Sequence, residues 1–195
     1  KKKSFINRNY FLKFDEIERV TFPISRPSQN KLINELNYNY RFKDSINNLF
    51  AKSSFLKDLK EEVLEEFMQN RNVANLNMYV LLRIKKMLNI NNVEILLSSD
   101  LFPDWKKTNV KDGQDKVIKI CHQLKAKYYI NPINGKPLYS KNKFEDEGLE
   151  LLFFNYFLSD NIDRWEKPIS IFSLLDQFCK KEIKSYLKLG NIVSS

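Results

Sequence analysis

Histidine is almost missing from this chain, and that absence excludes more chemistry than any residue present. His122 is the only one, so a His-rich zinc site is excluded and a Ser-His-Asp triad has a single base to draw on. It falls one residue off an apolar helical stripe, where a surface role fits better than catalysis. The two cysteines, Cys121 and Cys179, lie on apolar helical stripes with no partner at metal-ligand spacing. No metal is expected, and both thiols are expected to be reduced and buried, as in a cytoplasmic protein. There are four glycines, and the pair Gly135-Lys136 lacks the Gly-x-x-x-x-Gly-Lys-Ser/Thr spacing of a Walker phosphate loop. No apolar run approaches the roughly 20 residues of a spanning helix, and no signal peptide opens the chain. Repeats and low-complexity stretches are absent too.

What is present suits a folded domain. Of 195 residues, 43% are hydrophobic and 13% aromatic, enough for a real core, so one compact domain over residues 1–195 is expected. The net charge of +9, from 33 basic and 24 acidic residues, permits an anionic ligand such as a sugar nucleotide, phosphate or nucleic acid. The basic residues are dispersed apart from Lys1 to Lys3 and form no ribonucleoprotein motif, which disfavours nucleic acid.

The apolar stretches Val93 to Leu97, Tyr128 to Ile130 and Leu149 to Phe154 read as three strands, separated by Asp112 to Lys125 and by the helical turn Lys141 to Glu147. Strands alternating with helices predict parallel βαβ units. Each strand ends in a small polar group, at Ser98 and Ser99, at Asn131 and at Asn155. In open α/β sheets ligands bind beyond the carboxyl ends of the strands.

Ahead of this lies an antiparallel hairpin, with Tyr10, Leu12 and Phe14 facing Val20, Phe22 and Ile24 across the connection Asp15 to Arg19, and a third strand over Leu32 to Tyr38. The region about 42–89 turns to helical period. Ser54 is the predicted cap of a helix with Leu56, Leu59, Val63 and Phe67 on one face and Glu61, Glu62, Glu65 and Glu66 solvated. Asn72 caps the next, with Val73, Leu76, Val80, Ile84 and Met87 in its stripe. Asp112 caps a helix carrying Val117, Cys121 and Leu124, and Ser170 caps one long C-terminal helix with Ile171, Leu174, Leu175, Phe178, Ile183 and Leu187, ended by Gly190. Ser173 and Asp176 lie on that packing helix, where Asp176 suits a structural hydrogen bond. The fold class is therefore α/β: a mixed sheet with parallel βαβ units, an N-terminal antiparallel hairpin, a helical middle segment and a C-terminal helix. The aromatic stretch Tyr156 to Trp165 reads as a loop and a partner surface. The densest turn signal is Asn131-Pro132-Ile133-Asn134-Gly135-Lys136-Pro137, a shaped loop in which Gly135 permits close backbone approach and Lys136 supplies a positive charge.

Several stretches together resemble the WbqC-like family of bacterial proteins: Phe5-Ile6-Asn7-Arg8-Asn9, the Leu-Leu-Ser-Ser ending at Ser99, Val117 to Cys121, Tyr128-Tyr129-Ile130-Asn131, Asn134 to Tyr139, Phe144, Gly148 to Leu151, and Pro168 to Asp176. Family members usually carry a glutamine-proline head before the Asn-Arg-Asn motif, so this chain, starting at Lys1, is expected to lack that segment, by truncation or by nature. The resemblance implies surface-polysaccharide biosynthesis, of O-antigen or capsule, with a nucleotide-linked amino sugar as substrate and acyl or aminoacyl transfer as the working reaction. Alternatives are a non-catalytic binding or scaffold protein of the same pathway and, further off, a nucleic-acid-binding module. Substrate-binding candidates are Asn7, Arg8 and Asn9, with Arg8 making a bidentate contact, and Ser98, Ser99, Asn131, Gly135, Lys136 and Tyr139 along the strand-end crevice. No catalytic residue is assigned, no covalent serine intermediate is expected, and no pattern calls for a cofactor.

Overall fold

The computed structural model describes residues 8–13, 16–26, 30–51, 53, 56–104, 107, 110, 112–155, 170–188 and 190–195. These fall into two compact units, one built from residues 1–95 and 165–184, the other from 96–164 and 185–195.

The first unit opens with β1 (Arg8–Lys13) and β2 (Glu16–Thr21), paired antiparallel with Lys13 opposite Glu16. The expected connection Asp15 to Arg19 is thus shorter, because the charged residues Glu16, Glu18 and Arg19 continue the ladder on a sheet edge that faces water. Ile24 does not extend β2. It starts β3 (Ile24–Ser25), which pairs with β4 (Asn37–Tyr38). Phe22 and Pro23 form the break, and the Pro23 carbonyl accepts from the Asn39 amide at 2.9 Å. Most of the expected strand Leu32 to Tyr38 is instead a 3-10 turn at Ile33–Glu35, where the Glu35 carboxylate takes the Leu32 amide at 2.7 Å. Asparagines and a local cap win over extended pairing there.

Three helices follow: α1 (Phe42–Leu49), α2 (Lys57–Gln69) and α3 (Val73–Met87). Leu59, Val63 and Phe67 of α2 are buried as their spacing predicts, and so are Val73, Leu76 and Ile84 of α3. Phe42 stacks on Phe67 with centroids 4.8 Å apart, and Tyr38 lies 4.7 Å from Phe42. The Tyr38 hydroxyl donates to Asn77 Oδ1 at 2.9 Å, and burial pushes its pKa up to about 12. Ser54, the predicted cap of α2, lies outside the described residues, while Ser53 Oγ accepts the Leu56 amide just ahead of that helix. Glu62, expected to be solvated, is half-buried in an ion pair with Arg83 that ties α2 to α3.

Asn72 caps α3 as predicted, and it does more. Its Oδ1 accepts the amides of Ala74 and Asn75 at 3.0 and 3.2 Å, while Nδ2 donates to the Asn34 carbonyl at 2.7 Å. Asn72→Ala is expected to cost about 1–2 kcal/mol of stability. Asn72→Asp keeps the cap oxygen and should recover most of that loss, and urea denaturation of the two variants checks the order.

The predicted C-terminal helix is two helices, α7 (Ile171–Gln177) and α8 (Lys180–Leu187). Ser170 Oγ caps α7 by accepting the Phe172 amide at 3.4 Å. Phe178 turns extended, and the Glu182 carboxylate takes the Cys179 amide at 2.8 Å. That break corrects the expected burial of Cys179, which is exposed. Ser173 is buried on α7, and Asp176 accepts a hydrogen bond from Ser53 Oγ, the structural role its position suggested.

In the second unit the short helix α4 (Ser98–Leu101) is followed by α5 (Gly113–Gln123), β5 (Tyr128–Pro132), α6 (Lys141–Asp146), β6 (Glu150–Asn155) and β7 (Asn191–Ser194). The sheet order is β5-β6-β7. β5 and β6 are parallel, Tyr128 opposite Glu150 and Pro132 opposite Phe154, with residues 133–149 making the return through α6. The predicted strand at Val93 to Leu97 does not form. That stretch bonds into no sheet and leaves Val93 47% and Leu96 43% exposed. Four apolar residues around Glu94 satisfy a strand pattern, but without a partner their amides gain nothing from extension. The third strand is β7, antiparallel to β6 with Asn155 opposite Asn191.

The core of this unit is Ile118, Cys121, Phe144, Leu149, Leu151 and Phe153. Asp112 caps α5 through the Gln114 amide at 3.1 Å, while Leu124, predicted for the apolar stripe, is exposed one residue beyond the helix end. The same Asp112 and Asp115 hold Lys143 of α6 at 3.2 and 3.4 Å, which lowers the Asp112 pKa after its amide bonds and raises that of Lys143.

Candidate functional site

The carboxyl end of β5 leads directly into the polar loop singled out by sequence. Beyond Pro132 the chain winds through a 3-10 stretch, Ile133–Leu138, which brings Tyr139 back onto Tyr129. Their hydroxyls lie 3.0 Å apart and their rings meet edge-on with centroids 5.5 Å apart. Tyr129 also donates to Asn131 Oδ1 at 3.3 Å. A tyrosine hydroxyl has one hydrogen, so with Tyr129 donating to Asn131 the Tyr139 hydroxyl is the donor to Tyr129. Burial, then the contact with Tyr139, pushes the Tyr129 pKa upward, which keeps this relay neutral.

Gly135 is buried, and a Cβ built on it would come within 1.9 Å of Asn131 Nδ2. Only glycine leaves room for the Asn131 amide there. Lys136 is exposed, with Nζ 5.8 Å from the centre of the Phe153 ring. Asn131, Gly135, Lys136 and Tyr139 are therefore gathered in one loop at the strand end.

Three residues that were not among the site candidates support this group. Phe144, fully buried, stacks on Tyr129 at 5.5 Å and 7° and meets Tyr139 at 6.0 Å. Gln114, also buried, grips the Ser140 backbone, accepting its amide at 2.9 Å and donating to its carbonyl at 3.2 Å. Tyr129 was read as a strand residue and as part of the stretch that resembles the family, without a role at a site. A glutamine in the first turn of a helix gives no local sign of a partner 26 residues away.

Ser98 and Ser99 open α4 and do not end a strand, and Ser99 Oγ lies 3.5 Å from Asp100 Oδ1. Asn7 lies outside the described residues, as do Tyr156 to Trp165. The backbone of Arg8 begins β1 opposite Thr21, and Asn9 Oδ1 accepts the Tyr10 amide at 2.8 Å, a local hydrogen bond within the hairpin. His122 is exposed, with Nε2 3.0 Å from Glu147 Oε2. Cys121 is buried, which raises its thiol pKa. Among the described residues no group of three or more His, Cys, Asp or Glu side chains could hold a metal ion, and no helix is long and apolar enough to cross a membrane.

Hairpin, helical middle, small mixed sheet with a parallel pair, and terminal helices define a mixed α/β protein with a polar loop at the carboxyl end of its parallel strands. The chain belongs to the WbqC-like protein family, whose model matches residues 1–185. No curated protein and no solved structure matches it significantly.

Proposed function

We propose that this chain acts in bacterial surface-polysaccharide biosynthesis, of O-antigen or capsule, as a cytoplasmic transferase that places an acyl or aminoacyl group on a nucleotide-linked amino sugar. Membership of the WbqC-like family supports the setting, and the net charge of +9 suits an anionic substrate. The observation that carries the reading is the grouping of Asn131, the next-to-last residue of a parallel strand, with Lys136 and Tyr139 of the loop that follows it, close to the position at which open α/β sheets bind ligands. In this reading Lys136 offers a point charge to the diphosphate. Asn131 and Tyr139 are held by Gly135, Tyr129 and Phe144 as fixed hydrogen-bonding groups for the sugar and for the oxyanion that develops on the acyl carbonyl. The acyl group would come from an activated ester or thioester donor: the sugar amine attacks its carbonyl, the C–N bond forms as the C–O or C–S bond breaks, and the alcohol or thiol leaves with the amine's proton, so this reading calls for no resident cofactor.

Calorimetry with a panel of amino-sugar nucleotides tests this. Binding by the parent chain is expected, with Lys136→Met weaker by roughly 10- to 150-fold for loss of one charge-assisted contact. His122→Ala should bind as the parent does. Arg8→Lys examines the separate proposal that the start of the chain reads the anionic group, since lysine keeps the charge and loses the planar two-bond contact. Parent-like affinity in Lys136→Met would remove the loop from the site. Binding without acyl transfer, followed by mass spectrometry of the sugar, would favour the scaffold reading.

A further inference from the structure

The opposite, amino-terminal end of the β5–β6 pair carries an open concavity of about 680 Å³, lined by Lys127, Tyr128, Lys141, Glu145, Glu150 and Ser194 over a floor of Leu149 and Leu151. The size falls within the roughly 300–1,000 Å³ of small-molecule sites. Strand alternation explains its make-up. Leu149 and Leu151 turn into the core, while Tyr128 and its register neighbour Glu150 turn outward, leaving Tyr128 57% exposed. Gly148, at φ +70°, has open space where a side chain would stand, so the wall stays low beside them.

The charges decide the class of ligand. Two lysines face two glutamates, and Lys141 pairs with Glu145 one helical turn away at 3.5 Å. Lys127 and Glu150 have no ion-pair partner among the described residues. A balanced lining gives no net pull on phosphate or nucleic acid, in contrast to the chain as a whole. It does present separate donors and acceptors beside an exposed aromatic ring. Sugar hydroxyls each donate and accept, and a pyranose has an apolar face that packs on a flat, rigid ring.

We propose that this concavity binds a neutral oligosaccharide, with the Tyr128 ring as its platform and Lys127 and Glu150 as hydrogen-bonding partners. Its lining includes no residue of the Asn131 to Tyr139 loop, and the proposal does not rest on the nucleotide-sugar reading. The experiment is a titration of the isotope-labelled full chain with maltotriose, cellotriose and chitotriose, followed by amide NMR. At least one is expected to give saturable shifts at Tyr128, Gly148 and Glu150, insensitive to added salt. Tyr128→Ala should weaken that binding about 5- to 10-fold, whereas Tyr128→Phe, which keeps the ring, should stay within about twofold. Three outcomes would overturn the proposal: no saturable shift with any of the three sugars, parent-like affinity in a folded Tyr128→Ala chain, or a salt-dependent response of the same amides to inorganic phosphate in place of sugar.

Discussion

Phe144→Ala is expected to lower the stability of the second unit, the one holding the β5-β6-β7 sheet, by about 3–5 kcal/mol, the cost typical of deleting a buried aromatic ring. Phe144 has no exposed surface and sits among Ile118, Cys121, Leu149, Leu151 and Phe153, at the joint between α6 and β6. Its carbonyl also accepts the Leu149 amide at 2.8 Å, so a shift of this residue reaches the start of β6 directly. The ring is the stacking partner of Tyr129 and touches Tyr139. Loss of the ring should therefore loosen the hydroxyl relay to Asn131 as well as the core. Phe144→Leu, which refills most of the space, should retain more than half of the stability. Urea denaturation, with hydrogen exchange at the amides of Tyr129, Asn131 and Leu151, reads both effects. A loss below about 1 kcal/mol in the alanine variant would show that the site can collapse and that the packing account is wrong.

Gly190→Ala should cost about 2–5 kcal/mol, which is large for a change of one methyl group at the mouth of a strand. Two effects add. The backbone is at φ +145°, a region that side chains rarely tolerate, and a Cβ there would meet Phe154 Cζ at 2.5 Å and the Asn155 carbonyl oxygen at 2.7 Å. The phenyl ring can swing aside, but the carbonyl belongs to β6 and cannot move without breaking the register Asn155 to Asn191. Strain of about 1–3 kcal/mol combines with overpacking of similar size. Gly148→Ala is the control: its φ of +70° is strained too, but nothing lies within 4 Å, so it should cost only about 1–2 kcal/mol. Fast exchange of the amides of Asn191 to Ser194 in Gly190→Ala, with β5–β6 still protected, is the expected signature. Equal stability of the two variants would refute the close approach at Gly190.

The parts of this protein that were legible from sequence are those settled within a turn or two of chain. Leu59, Val63 and Phe67 bury one face of α2 because their spacing puts them there, whatever that face meets. Asn72, Asp112 and Ser170 cap their helices because an oxygen on a short side chain reaches an amide two or three residues ahead. Tyr128 and Glu150, one residue past the expected Leu149, begin parallel strands because the return between them is long enough for a crossover. The turn chemistry of Asn131 to Pro137 likewise marked the loop that gathers Asn131, Gly135, Lys136 and Tyr139.

Tertiary structure decided what depends on a distant partner. Val93 to Leu97 has as good a strand pattern as β5, but a strand exists only where another is bonded to it. The charge-rich stretch Glu16 to Arg19, with Ile17 its one apolar residue, read as a connection and is a strand because β1 lies alongside. Asn191 to Ser194 is drawn into the sheet by β6, some 40 residues earlier in the chain. Gln114 gained its role from Ser140, and Cys179 lost its burial to a break that Glu182 caps. Local spacing fixes which face of a segment is apolar. Which segments meet is set by the whole chain's closure around its cores, and no single stretch encodes that.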